Sequence, residues 1–187
     1  MNVAVVNFSG RMNGNCHDIS REIKNALGNC GVTIIDMGHM DIRPCGRCNY
    51  ECLDAQNACP VKDDIGGIYE TLCAASLIFY VVPNYINYPC ANFFVFNERK
   101  QGVFGRNAEL LQKYLEIPKG FVVVSNTEKD NFRQIFKGHA ASPPDILFMA
   151  TRDFDSNVRG GMMKNANARK KLRGFLETRD QRPETGK

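Results

Sequence analysis

Short uninterrupted apolar runs alternate along this chain with longer stretches in which apolar residues return every three or four positions. Residues 3–8 are a valine-rich run, as expected of a strand buried on both faces. A polar, glycine-containing turn follows. Ile19, Ile23, Ala26 and Leu27 then recur at helical spacing until Gly28 and Gly31 stop the pattern. Residues 32–35 read as a second strand. Asp63 and Asp64 place negative charge at a helix start, and Ile65, Ile68, Leu72 and Cys73 give that helix one apolar face. Residues 77–82 form a third strand, which Pro83 is expected to end. The aromatic stretch 91–96 is expected to be helical. Residues 120–124 make a fourth strand, residues 131–139 a short helix, and residues 145–150 a fifth strand after Pro143 and Pro144. Ala168, Leu172, Phe175 and Leu176 mark the last helix.

Strands that alternate with helices predict a parallel sheet covered on both faces. Five of them predict an α/β, flavodoxin-like, doubly wound five-stranded parallel sheet. In such sheets ligands sit beyond the carboxyl ends of the strands, near the switch in strand order. The candidate site therefore falls on the loops after Phe8, Val82 and Val124.

Length and charge narrow the picture further. The 187 residues suit one domain, and the 43% hydrophobic and 24% charged composition is that of a globular protein. No apolar run approaches the roughly 20 residues of a membrane helix, and residues 3–6 are too short for a signal peptide, so a cytoplasmic protein is expected. The net charge of +4 is not spread over the chain: residues 164–187 hold eight basic and three acidic residues, and the remainder is slightly acidic. The reading is a folded domain over 1–178 and a basic, solvated tail over 179–187, with nucleic acid not expected as a partner.

The loop at residues 9–16, S-G-R-M-N-G-N-C, lies between the first strand and the first helix. Gly10 and Gly14 can adopt positive φ and let backbone N–H groups converge on an anion. The helix starts near Asn15, and its unpaired N–H groups and dipole favour negative charge there. Ser9, Asn13 and Asn15 add polar groups and Arg11 a positive one. A plain strand-to-helix turn capped by Asn15 fits the same residues. The chain has neither G-x-G-x-x-G nor G-x-x-x-x-G-K-[ST], which disfavours a dinucleotide site of Rossmann type and a P-loop. After the third strand, Pro83 and Pro89 stiffen a loop in which Tyr85 and Tyr88 offer aromatic faces. Asn84, Ile86 and Asn87 in that loop carry amides and backbone groups for the polar edge of a ring, and Asn126 after the fourth strand offers a third ring contact.

Eight cysteines are many for this length, and four of them, Cys45, Cys48, Cys52 and Cys59, lie within 15 residues. Without an export signal, metal or redox chemistry is a better expectation than a disulfide scaffold. Their spacing suits tetrahedral zinc or a [4Fe–4S] cluster, and equally leaves free or disulfide-prone thiols. His17, His39 and His139 build no triad and are expected at the surface or as caps.

Two segments carry a family resemblance. Ser9, Arg11, Gly14 and Asn15 resemble the S-x-R-x-x-G-N-[ST] phosphate loop of NADPH-dependent FMN reductases and the related iron–sulfur flavoproteins, with Cys16 where that family has a hydroxyl. Pro83 and Tyr85 resemble the family's P-x-Y-[FW]-G ring loop, with Asn87 in place of the glycine. Residues 44–64 resemble the cysteine segment of the iron–sulfur flavoproteins, though one gap is a residue longer. The resemblance implies FMN held by residues 9–16 and 83–87, NAD(P)H as co-substrate, and a flavin- or quinone-type reductase passing electrons to a small-molecule or protein acceptor. A [4Fe–4S] cluster on the four cysteines is implied by the same likeness. No side chain need act as acid or base, so no catalytic residue is assigned. It also implies a homodimer or homotetramer, with residues 93–96 at the interface. The competing readings are a non-enzymatic flavodoxin-like electron carrier and a metal- or thiol-sensing protein with a degenerate flavin site.

Overall fold

The computed structural model describes residues 1–46, 48–53, 59–105, 107–125 and 131–180. The apolar runs form strands β1 (Asn2–Asn7), β2 (Gly31–Asp36), β3 (Leu77–Tyr85), β5 (Lys119–Ser125) and β6 (Asp145–Ala150), all parallel, in the order β2-β1-β3-β5-β6. A two-residue strand, β4 (Tyr88–Pro89), adds an antiparallel hairpin to the end of β3. The expected flavodoxin-like doubly wound sheet is therefore the fold.

Period-2 alternation divides the core into two layers. Val3, Val5, Phe79, Val81 and Val122 face α1 (Asn15–Ala26) and α6 (Ala166–Asp180), where Ile19, Ile23, Leu172 and Leu176 pack on them. Ala4, Val6, Tyr80, Val82 and Phe121 face α2 (Ile65–Cys73), α3 (Ala91–Phe104), α4 (Ala108–Glu116) and α5 (Asn131–Phe136). Gly120 keeps β5 close to its neighbours: a Cβ there would lie 2.8 Å from the Phe79 ring.

Several boundaries differ from expectation. Pro83 does not end β3, which runs on to Tyr85. The Val81 carbonyl faces β1 and accepts from the Phe8 N–H at 3.0 Å. Backbone groups alternate between neighbouring strands, so Pro83 also turns toward β1, whose pairing with β3 has stopped at Asn7 and Val81. Its missing N–H costs no ladder bond. α4 was not anticipated: Asn107 caps it, its Oδ1 accepting from the Leu110 N–H at 2.9 Å. Lys119 ends it, donating from a buried position to the carbonyls of Tyr114 and Ile117. Burial pushes the Lys119 amine down to about 7, with nearby Lys100 adding to the effect. The last helix reaches Asp180, past the expected start of the tail, and residues 181–187 lie outside the described residues.

Two buried polar clusters fix the α2–α5 layer. Arg99, 1% exposed, pairs with Asp63 and also donates to the carbonyls of Arg43 at 2.6 Å and Val61 at 3.5 Å. It thereby clasps the cysteine segment to α3. His139 is fully buried, contrary to the surface role expected of it. Its Nδ1 is hydrogen-bonded to Tyr114 Oη at 3.0 Å, and that hydroxyl to Tyr80 Oη at 2.7 Å. Among the described residues no helix is long and apolar enough to cross a membrane.

Candidate functional site

Every strand-to-helix loop of a parallel sheet emerges at the carboxyl edge, and here β1, β3, β5 and β6 deliver theirs around one cleft of about 280 Å³. One wall is the loop after β1, contributing Ser9, Arg11, Gly14, Asn15 and Cys16. The opposite wall is the end of β3, with Pro83, Asn84 and Tyr85. Asn13, Ile86 and Asn87 do not line the cleft, and Asn126 lies outside the described residues.

The first loop leaves β1 through two local turns. Asn7 Oδ1 accepts from the Ser9 N–H at 3.0 Å, and Ser9 Oγ accepts from the Arg11 N–H at 3.1 Å. α1 then begins at Asn15 with no side chain capping it, so the N–H groups of its first turn remain directed at the cleft end. The N-cap is Gly14, not Asn15. Gly14 has φ 146°, and a Cβ there would approach the Arg159 carbonyl to 3.4 Å. It is the backbone conformation that calls for glycine, since a Cβ at that distance from the carbonyl would make only an ordinary contact.

Asn15 has a different task from the one anticipated. Its amide is buried, donates to the Asn157 carbonyl at 2.8 Å and accepts from the Met162 N–H at 3.0 Å. Asp18 Oδ2 accepts from the Gly161 N–H at 3.2 Å. The segment after β6 is thus locked against the first turn of α1, and it brings Val158 and Thr151 into the cleft wall. Sequence reasoning missed this fourth loop. Its signal was present: Asn157, Gly160 and Gly161 follow β6 at the same edge, and both glycines adopt positive φ.

Cys16 lines the cleft from a position only 5% exposed. Burial pushes its thiol well up, Cys90 and Asp36 add to that, and Arg11 opposes it, so the neutral thiol is the form present. His17 and His39 each lie 3.9 Å from Asp36 Oδ2 at the rim of this loop.

The wall built by the end of β3 is a tight hairpin. Asn84 pairs with Pro89 and Tyr85 with Tyr88, leaving Ile86 (φ 52°) and Asn87 (φ 68°) as a left-handed two-residue tip. Asparagine tolerates this conformation; a β-branched isoleucine does so at a cost. Ile86 is 91% exposed, with Tyr85 and Tyr88 also exposed beside it. Asn84 Nδ2 donates to Ser125 Oγ at 2.8 Å, whereas Asn84 Oδ1 is buried without a hydrogen-bond partner among the described residues. Phe93 and Phe96 are fully buried against Phe8, Tyr80 and Phe136, which corrects their expected place at an interface; Phe94 is the exposed member.

The expected metal site is not assembled. Cys45 is exposed and Cys48, Cys52 and Cys59 are half-buried. Among the described residues no three His, Cys, Asp or Glu donors converge to hold a metal ion. Cys59 Sγ instead accepts from Arg99 at 3.6 Å, and the Cys45 N–H donates to Glu98 at 2.6 Å. This arrangement does not fit a [4Fe–4S] cubane, whose thiolates must meet around one centre.

No family model and no curated protein sequence matches the chain. Its backbone is similar to solved structures at low identity. A quinone reductase of Klebsiella pneumoniae, so described provisionally, superposes with a TM-score of 0.67 at 12% identity, over 97% of this chain and 85% of that one. A flavoenzyme NAD(P)H:(acceptor) oxidoreductase of Paracoccus denitrificans gives 0.61 at 12% identity, over 95% and 93%. An NADH:FMN oxidoreductase in its apo form gives 0.56 at 11% identity, over 98% and 92%. Likeness at this level of identity concerns architecture: the chain has the flavodoxin-like α/β fold.

Proposed function

We propose that this protein is an FMN-dependent oxidoreductase that takes electrons from NAD(P)H and passes them to a flavin- or quinone-type acceptor. The observation that carries the reading is the cleft, which joins an uncapped helix N-terminus behind β1 to an unpartnered acceptor on β3. The first suits a phosphate and the second a ring N–H, and FMN bears both. Neighbouring folds described as an NADH:FMN oxidoreductase and a flavoenzyme NAD(P)H:(acceptor) oxidoreductase support the same assignment.

In this reading the N–H groups at the start of α1, the Ser9 hydroxyl and the Arg11 guanidinium hold the phosphate. Gly14 lets the backbone close around it, and Asn15 ties the loop after β6 against it. The neutral Cys16 thiol adds a weak donor without adding repulsive charge. Pro83, Tyr85, Val124 and Val158 wall the ring portion and exclude water. Among the described residues that line the cleft none is a carboxylate or an imidazole, and in this reading they supply binding, orientation and electrostatics. Bound FMN would supply hydride acceptance and onward electron transfer. The exposed Tyr85, Ile86 and Tyr88 hairpin beside the cleft supports self-association as a homodimer or homotetramer.

The test is the visible spectrum of purified protein, followed by FMN titration and anaerobic stopped-flow mixing with NADPH and NADH. Flavin uptake with rapid bleaching by either nucleotide is the expected result. A colourless protein that takes up no FMN refutes the proposal, and bound flavin that neither nucleotide reduces identifies an electron carrier instead.

A further inference from the structure

Asn84 sits at the carboxyl end of β3, one residue before the hairpin turns, and lines the cleft. Its amide is held from one side: Nδ2 donates to Ser125 Oγ at 2.8 Å, at the end of the neighbouring strand β5. That bond fixes the plane of the amide and leaves Oδ1 without a donor among the described residues. A buried carbonyl with no donor carries its desolvation cost uncompensated, and native proteins retain such groups where a ligand completes them. Asn7 Nδ2, Arg99 Nε, Asn131 Oδ1 and His139 Nε2 are also without a hydrogen-bond partner among the described residues, but none of these residues lines the cleft.

The geometry points to Asn84 Oδ1 as the acceptor that selects a ligand by an unsubstituted ring N–H. This rests on the FMN reading: the oxidised isoalloxazine carries a single N–H donor, the imide N3–H, flanked by two carbonyls. An acceptor fixed by Ser125 recognises that donor and rejects a ring alkylated at the same nitrogen, because the added methyl both removes the hydrogen bond and meets the carbonyl. Asn84 is thus a specificity-determining residue, and Ser125 the residue that positions it.

The experiment compares FMN with 3-methyl-FMN by fluorescence titration of the wild-type protein, Asn84→Ala and Ser125→Ala, with thermal unfolding as the control for folding. Wild type should prefer FMN at least tenfold, equivalent to about 1.4 kcal/mol. Asn84→Ala should bind FMN more weakly and narrow the preference to less than threefold, with Ser125→Ala between the two. Equal binding of both flavins by wild type overturns the inference, and would mean that the amide turns its NH₂ to the cleft. An undiminished tenfold preference in folded Asn84→Ala overturns it as well. If Asn84→Ala does not fold, the wild-type comparison still decides. A wild-type protein that binds neither flavin removes the FMN reading itself, a result distinct from equal binding.

Discussion

Replacing Arg99 with methionine will destabilise the protein by about 3–5 kcal/mol, the cost of leaving one member of a buried ion pair without the other. Arg99 is 1% exposed and the Asp63 side chain 0%. Methionine fills much of the same channel but supplies none of the donors that reach Asp63, Arg43, Val61 and Cys59. Asp63 would then keep the backbone N–H groups of Arg43 at 3.0 Å and Ile65 at 3.3 Å, with no counter-charge. Burial by itself would raise the Asp63 carboxyl. The hydrogen bond and charge of Arg99, with those two N–H groups, hold it below its ordinary value in the native protein. At about 2–4 °C per kcal/mol for a domain of this size, the melting temperature should fall by roughly 6–20 °C. Thermal and urea unfolding followed by circular dichroism measure this, and a cycle with Asp63→Asn isolates the pair. The double variant should be less destabilised than the sum of the singles by at least about 1 kcal/mol. A single-variant loss below about 1 kcal/mol, or strict additivity, would refute the claim that this pair clasps the cysteine segment to α3. Faster alkylation of Cys59 in Arg99→Met is the local readout of the same release.

Further outcomes follow from the core and the cleft. Burial first, then the charges of Lys100 and Lys119, hold the His139 imidazole well below its ordinary range and keep it neutral. The unfolded chain takes up a proton below about pH 6.5 and the folded chain does not, so stability is lost on acidification at up to about 1.4 kcal/mol per pH unit. His139→Gln should flatten that slope in unfolding series between about pH 7.5 and about pH 5.5, roughly one unit either side of the unfolded-state value, and an unchanged slope would contradict the assignment. Cys16→Thr replaces a weak donor with a hydroxyl at the phosphate end and should bind FMN as tightly as wild type or up to about tenfold more tightly. Clearly weaker binding in a fluorescence titration would show that residue 16 does not face the phosphate. Anaerobically purified protein should give flavin bands without the broad absorption of an iron–sulfur cluster, and stoichiometric iron and sulfide would show that the cysteine segment closes around a cubane after all.

Local chemistry was enough to determine the five parallel strands, their alternation with helices and the place of residues 9–16 between β1 and α1. A valine-rich run bounded by a glycine turn and an amphipathic helix has few other ways to bury its apolar surface, and that choice places the turn at the carboxyl edge of a sheet. Pro83 illustrates the limit of such reasoning. Whether its missing N–H matters depends on where β1 stops beside β3, a property of another strand. The same holds for Asn15, whose amide could serve an anion or a neighbouring loop; the approach of Asn157 and Met162 decided for the loop. Phe93, Phe96 and His139 look in sequence like surface or interface residues because α3 and the segment after α5 show no clean polar face. Three helices and a sheet converge on them, and only that convergence buries them. Cysteine spacing, likewise, states which thiols can meet but not whether they do: Arg99 and Glu98, both on α3, engage Cys59 and Cys45 separately. Near-neighbour patterning thus fixed what the chain builds, and long-range packing decided which polar atoms remain for a ligand.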